Sequence, residues 1–369
     1  MDSGSDAVQT AVELLKGNSQ FTIHNSQFTI HNPIYILGPC SAESREQVLL
    51  TAGQIKAACG EMPFIFRAGA WKPRTSPHTF QGVGAEALEW LKEVKENFGI
   101  AIATEVATPE QAKAAIEAGM DYLWIGARTS ANPQAVQAIC DSLAVSRNQL
   151  KGILIKNPVN EDAGLWIGNI ERLEKTGIPV IAVHRGCGHK PCWSMAHQVR
   201  LSRPDIPMLL DPSHMSGDAA KIPELMQKIP ELGMNGAMIE VHCCPEQALS
   251  DKYQQITPTQ LVNTLDSLVS RLCLASLICP PSDENELNWL RAEIDELDEK
   301  LWDTIASRMD VSKRIGEWKK VHGVAPLQPE RYEQIVESLR QKVERLGLDE
   351  TFMLRMWELI HEESLKQQK

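Results

Sequence analysis

The stretch IAIATEVATPEQAKAAIEAGMDYLWIG, residues 100–126, decides the fold. It opens with a short apolar run, IAIATE, and closes with another, DYLWIG. The segment between them, PEQAKAAIEAG, reads as an amphipathic helix. A strand, a helix and a strand in that order argue for neighbouring strands that run parallel.

The same alternation extends in both directions. Strand-like runs recur at 33–38 (PIYILG), 64–69 (FIFRAG), 152–157 (GILIKN), 179–184 (PVIAVH), 207–212 (PMLLDP) and 236–241 (GAMIEV). Helix-like segments such as EALEWLKEVKENFG (86–99) separate them. Eight such units in roughly 240 residues fit a (β/α)8 TIM barrel, an α/β fold. A doubly wound open sheet is the alternative. No G-x-G-x-x-G opens a helix after the first strand, which weakens a dinucleotide-binding reading.

Composition limits the partners. The chain of 369 residues is 43% hydrophobic and 23% charged, an ordinary globular balance. Its formal net charge of −11 disfavours nucleic acid and anionic membrane as partners. Nine scattered cysteines without C-x-x-C spacing read as reduced thiols, and there is no apolar run of transmembrane length or signal peptide, so a cytoplasmic location is expected. NSQFTIH occurs at 18–24 and again at 25–31, and its apolar–polar alternation suits a short hairpin in an N-terminal extension, 1–32.

The strand ends carry the chemistry. In order they read GPCSAES, RAGAWKPRT, ATEV, IGARTS, IKNP, VHRG, DPSH and IEVH. Barrel enzymes assemble their sites on this C-terminal rim. Cys40, His214, Glu240 and Asp251 offer a thiolate, an imidazole and two carboxylates, a mixed donor set suited to a divalent transition metal. Mn2+, Fe2+, Co2+ and Zn2+ are all admissible. His242, Cys243 and Cys244 compete as ligands or are plain loop residues. Arg67, Lys72, Arg74, Arg128, Lys156 and Arg185 surround them. An isolated K-P-R-T is a solvated basic turn, but this many cations together need more than one phosphate to balance them.

GPCSAES, KPRTSPxxFQGxG, IGAR, HRG, DPSH and the run from Glu240 to Asp251 resemble 3-deoxy-D-arabino-heptulosonate 7-phosphate (DAHP) synthases. The similar branch is the compact one, related to 3-deoxy-D-manno-octulosonate 8-phosphate synthases. The likeness covers about 33–265. It implies condensation of phosphoenolpyruvate with erythrose 4-phosphate, the first step of the shikimate pathway. It implies Cys40, His214, Glu240 and Asp251 as metal ligands, Mn2+ foremost. Lys72 would contact phosphoenolpyruvate and protonate the new alkoxide. Arg67, Arg128, Lys156 and Arg185 would clamp phosphoenolpyruvate, and Arg74 and Thr75 would contact erythrose 4-phosphate. The octulosonate enzymes resemble K-A-N-R where this chain has K-P-R-T, which disfavours the longer sugar. GCGHKPCW, after Arg185, departs from the pattern.

After about 270 the texture changes. The barrel reading runs 33–270, a Pro-containing linker 271–285, and a smaller all-α three-helix domain 286–369. Leu290, Ile294, Leu297, Leu301, Thr304, Arg308, Val311, Ile315 and Trp318 alternate spacings of four and three, a heptad seam that predicts pairing with a second copy. Arg308 on that seam needs an acidic partner or an anionic ligand. Lys319 follows on nearly the same face, about 16 Å further along. Arg291 lies about 25 Å back and roughly 100° around, so it reaches the same ligand only from a second chain.

LRAEIDELDEKLWDTIASRM, KxxxGVAPLQPERYEQI and IHEESLKQQ resemble the all-helical chorismate mutases over about 286–368. That likeness implies rearrangement of chorismate to prephenate without a cofactor. Arg291, Arg308, Lys319, Arg331, Ser364 and Gln368 fall on substrate-contacting positions, with Lys319 and Gln368 donating to the ether oxygen. Gln328 and Tyr332 stand where some relatives carry acids. The fusion suggests feedback on the barrel by prephenate or chorismate. The alternative is a weakly catalytic sensor and dimerisation tail.

Overall fold

The computed structural model describes residues 33–73, 78–143, 149–276 and 284–368, so the 18–31 repeat lies outside the described residues. Two compact units, Met1–Glu293 and Ile294–Lys369, divide the chain.

The first unit is a closed barrel of eight strands in sequence order. The strands are β1 (Ile34–Gly38), β2 (Ile65–Arg67), β3 (Ala101–Val106), β4 (Tyr122–Ile125), β5 (Gly152–Lys156), β6 (Val180–His184), β7 (Met208–Leu210) and β8 (Gly236–Glu240). All pairings are parallel, and β1 pairs with β8 from Ile34↔Gly236 to Gly38↔Glu240 to close the ring. Every residue of β5, β6 and β8 is buried, as expected when a sheet is covered on both faces.

Alternation along each strand divides the core in two. Ile36, Ala103, Trp124, Leu154, Val183, Leu209 and Met238 fill the barrel interior. Their sequence neighbours, such as Leu123, Ile125, Ile153 and Ile155, pack with the helices. Leu154 is fully buried, so Leu154→Ala should cost about 2–5 kcal/mol in denaturant unfolding.

Short side chains start the helices where strand ends leave off. Ser44 caps Arg45–Cys59 through the Gln47 N–H, Thr108 caps Pro109–Glu117 through Gln111, and Asp211 caps Pro212–Ser216 through His214. At the rim Gly38 has φ +148°, and a Cβ there would meet the Arg67 carbonyl oxygen at 2.1 Å. The loops carrying Cys40 and Lys72 can therefore come together.

The tail helices are Glu284–His322, Pro329–Leu346 and Glu350–Gln367. The first begins two residues before the sequence-derived boundary, and its opening turns belong to the barrel unit. Trp289 is buried, donates Nε1–H to the Leu232 carbonyl at 3.1 Å and stacks on His197 at 5.3 Å. No described helix is long and apolar enough to cross a membrane.

Candidate active site

A cavity of about 160 Å³ opens on the C-terminal rim. Arg67, Lys72, Arg128, Lys156 and Arg185 line it, with His214 and Asp251. The rim cations of β2, β4, β5 and β6 thus meet at one space. Arg74 and Thr75 lie outside the described residues.

The floor is a cluster of donors. Cys40, Glu240 and Asp251 offer ligand atoms that all lie within 4.8 Å of one another. The Cys40 thiol donates to Asp251 Oδ2 at 3.0 Å. His214 stands at the edge of this group: its Nε2 is 3.6 Å from Glu240 Oε1, while its Nδ1 faces Asp211 Oδ2 at 3.0 Å. His242 turns elsewhere. Its Nδ1 accepts the Cys244 N–H at 2.9 Å and its Nε2 lies 3.8 Å from Glu43. Two close carboxylates, a thiol and a neighbouring imidazole fit a divalent transition metal.

Arg67 is fully buried, donates Nη2 to the Cys40 carbonyl and to Glu240 Oε1, both at 3.2 Å, and lies 4.7 Å over the Trp124 ring. Its Nε and Nη1 are buried without a hydrogen-bond partner among the described residues. Such donors are costly unless something accepts from them. Lys72 donates to the Cys40 carbonyl at 3.3 Å and lies 3.8 Å from Glu105. Burial alone would lower its pKa, but Cys40, Glu105 and Glu240 outweigh that and raise it. Lys156 donates to Asp211 Oδ2 at 2.6 Å, yet burial dominates and depresses its pKa. Burial pushes the Asp211 carboxyl upward, but His214 and Lys156 overcome it and hold it well below the usual range. Burial, opposed by Asp211 and Glu240, lowers the His214 imidazole. Burial raises the Cys40 thiol strongly, with Glu240 adding to it.

Sequence reading missed Glu105, Asp211, Gln254 and His189. Asp211 sits three residues before His214, and the D-P-S-H spacing of a capping acid was its available signal. Gln254 donates to Glu240 Oε2 at 2.8 Å from a short turn with no distinguishing pattern. His189 and Asp251, at φ 61° and 48°, are the non-glycine residues with positive φ among the described residues, and both line this cavity. Strained backbone of this kind concentrates at functional sites.

The second unit has its own polar cluster. Arg308 donates Nη1 to Ser364 Oγ and lies 4.9 Å over the Trp357 ring. Lys319 is buried and donates to Gln368 Oε1 at 3.0 Å and to the Pro326 carbonyl at 2.6 Å. Arg331 is exposed and, among the described residues, bonds to Gln334 of its own helix at 3.3 Å. Arg291 is exposed and falls in the barrel unit. Among the described residues, the groups bonded to or stacked on Arg308 are Ser364, the Ile360 carbonyl and the Trp357 ring, and none is a carboxylate.

Comparison with known proteins agrees with both halves. The model of the DAHP synthetase I family matches residues 29–272, and that of chorismate mutase type II matches 290–369. A phospho-2-dehydro-3-deoxyheptonate aldolase of Thermotoga maritima is 31% identical over 247 residues, 65% of this chain and 66% of its own, so the chain spans about two thirds of that relative. A crystal structure of the enzyme of that name from the same organism superposes with a TM-score of 0.56 at 28% identity, over 65% of this chain and 71% of that one. A 2-dehydro-3-deoxyphosphooctonate aldolase of Helicobacter pylori is 24% identical over 64% of this chain and 94% of its own. A 4-amino-4-deoxychorismate mutase of Streptomyces venezuelae is 38% identical over 79 residues, 21% of this chain and 77% of its own.

Fold and rim define a TIM-barrel enzyme with an appended helical domain. The chain belongs to the DAHP synthetase I family, and its C-terminal part is a chorismate mutase type II domain: a transferase joined to an isomerase.

Proposed function

We propose that the barrel condenses phosphoenolpyruvate with erythrose 4-phosphate and that the tail rearranges chorismate to prephenate. The observation that carries the first reading is the meeting of Cys40, Glu240 and Asp251 beneath a cavity lined by Arg67, Lys72, Arg128, Lys156 and Arg185. C3 of phosphoenolpyruvate attacks the aldehyde carbon, water adds at C2, and phosphate leaves with the C–O bond. The orphaned Nε and Nη1 of Arg67, with Arg128, Lys156 and Arg185, hold phosphoenolpyruvate. Lys72, kept charged by its acidic surroundings, delivers its proton to the new alkoxide oxygen. Arg74 and Thr75 complete the reading as erythrose 4-phosphate contacts. Cys40, His214, Glu240 and Asp251 would hold a divalent cation, Mn2+ foremost, with Fe2+, Co2+ or Zn2+ admissible. When bound, that ion supplies Lewis-acid polarisation of the aldehyde.

In the tail, Arg308 and Ser364 hold the dicarboxylate from one chain, and Arg331 is a further substrate contact. Lys319 and Gln368 exchange their mutual bond for the ether oxygen. Arg291 joins from a second copy. The seam supports that pairing: Ile294, Leu297, Leu301, Val311, Ile315 and Trp318 are all between 40% and 62% exposed. An apolar face of this length rarely stays open on a soluble protein. Feedback by prephenate or chorismate rests on the fusion and on the unit boundary falling inside one helix.

One panel on the full chain tests these readings together. Erythrose 4-phosphate should be used and arabinose 5-phosphate refused, chorismate should be turned over, and prephenate should slow condensation. Preference for the five-carbon sugar would reassign the barrel to octulosonate synthesis. Chorismate binding without turnover would reduce the tail to a sensor.

A further inference from the structure

The mutase domain contains a polar pair that the functional reading does not use. Trp357 and His361 lie one turn apart on the helix Glu350–Gln367, their rings stacked at 5.7 Å. Tyr332, from Pro329–Leu346, packs its ring against His361 at 4.9 Å. Arg308 sits over the face of Trp357. Two buried nitrogens in this group, Trp357 Nε1 and His361 Nε2, have no hydrogen-bond partner among the described residues. An unsatisfied buried polar atom is costly and rare in a packed interior, and two of them beside the substrate-binding cations call for a ligand.

The charges acting on His361 are those of Arg308 and Lys319. The imidazole therefore feels the charge of Arg308, assigned to the dianion, and of Lys319, assigned to the ether oxygen, and it stacks on the Trp357 ring that Arg308 covers. Burial first, and these two charges next, lower its pKa, which keeps it neutral. A neutral imidazole nitrogen either donates or accepts, according to tautomer, and a hydroxyl can answer both. An ammonium at the same place would face two cations and a neutral ring, and desolvation without a counter-charge is strongly unfavourable.

Resting on the mutase reading above, we propose that His361, backed by Tyr332, is a specificity-determining contact of the tail. Its Nε2 binds a neutral hydroxyl on the ring-bearing dicarboxylate held by Arg308 and Lys319, and disfavours an amine there. The sequence gives no warning of this role, because His361 one turn from an aromatic reads as ordinary helix packing.

The test uses the full chain with chorismate and 4-amino-4-deoxychorismate, with thermal melting of each variant. Wild type should favour the hydroxyl substrate by about 100-fold or more in kcat/KM. His361→Leu should raise KM for chorismate about tenfold while kcat changes less than about threefold. His361→Gln, which returns an N–H at similar reach, should recover most of that loss. His361→Glu should move the substrate ratio toward the amine by about tenfold or more. Unchanged KM in His361→Leu, no gain in His361→Gln over it, or an unmoved ratio in His361→Glu overturns the proposal. If His361→Leu does not fold, the Gln and Glu variants decide alone. Wild type that neither binds nor turns over chorismate sinks the mutase reading and this inference together. Normal wild-type turnover with unresponsive variants sinks this inference only.

Discussion

Cys40→Ala is expected to slow condensation by about 10³-fold or more while leaving the barrel folded. The thiol is fully buried, donates to Asp251 Oδ2 at 3.0 Å, and lies within 4.8 Å of a Glu240 oxygen. It is the soft donor of the set, and two carboxylates with His214 at their edge make a weaker and less selective site. Polarising the aldehyde is worth several kcal/mol, and a loss of about 4 kcal/mol is about 10³ in rate. The surrounding cations should hold their positions, because Arg67 and Lys72 bond the Cys40 carbonyl and not its sulfur. Removing one sulfur from the core should cost only about 1 kcal/mol of stability. Metal analysis should show the purified variant depleted. Chelation of wild type should give the same loss, reversed by a divalent cation. Full turnover in Cys40→Ala, or turnover that ignores chelators, would remove the metal from the mechanism.

The barrel was legible because its signals are local and repeated. IAIATE and DYLWIG sit at β3 and β4, and the helix between them begins at Pro109 as its composition suggests. A parallel strand must be apolar on both faces, so an abrupt charge at its end marks the rim, as in Lys156 and Glu240. The acids that tune the site were less visible. Asp211 and Glu105 are also strand-end charges, but a carboxylate that partners a lysine looks the same in sequence as one that faces water. Gln254 reaches Glu240 from the end of the 3-10 turn Lys252–Gln254, a contact made only by tertiary structure. The tail shows the opposite limit. Heptad spacing from Leu290 to Trp318 falls inside the long helix Glu284–His322, yet it placed Arg308 on a seam without saying that Trp357 and Ser364 would meet it.

The other large effect is expected in that tail. Arg308→Ala should lower kcat/KM for chorismate by about 10²–10⁴-fold and leave condensation within about twofold. Arg308 is half-buried, and burial depresses its pKa, so its charge is held against a desolvation cost. That cost is recovered when a dianion binds, since the guanidinium can grip a carboxylate through two N–H groups. Holding both carboxylates fixes the folded conformer in which the new C–C bond forms, and positioning of this kind supplies much of the acceleration in a reaction without a nucleophile. The variant should fold, because Ser364 keeps a bond to the Ile360 carbonyl at 2.7 Å and Lys319 keeps Gln368 and Pro326. Arg308→Lys separates charge from geometry: a point charge should restore binding more than turnover, since it cannot make the paired contact. Chorismate turnover that survives Arg308→Ala would move the mutase site away from this helix. Lost turnover in Arg308→Ala, together with a prephenate effect on the barrel that persists, would show that catalysis and sensing use different residues of the tail.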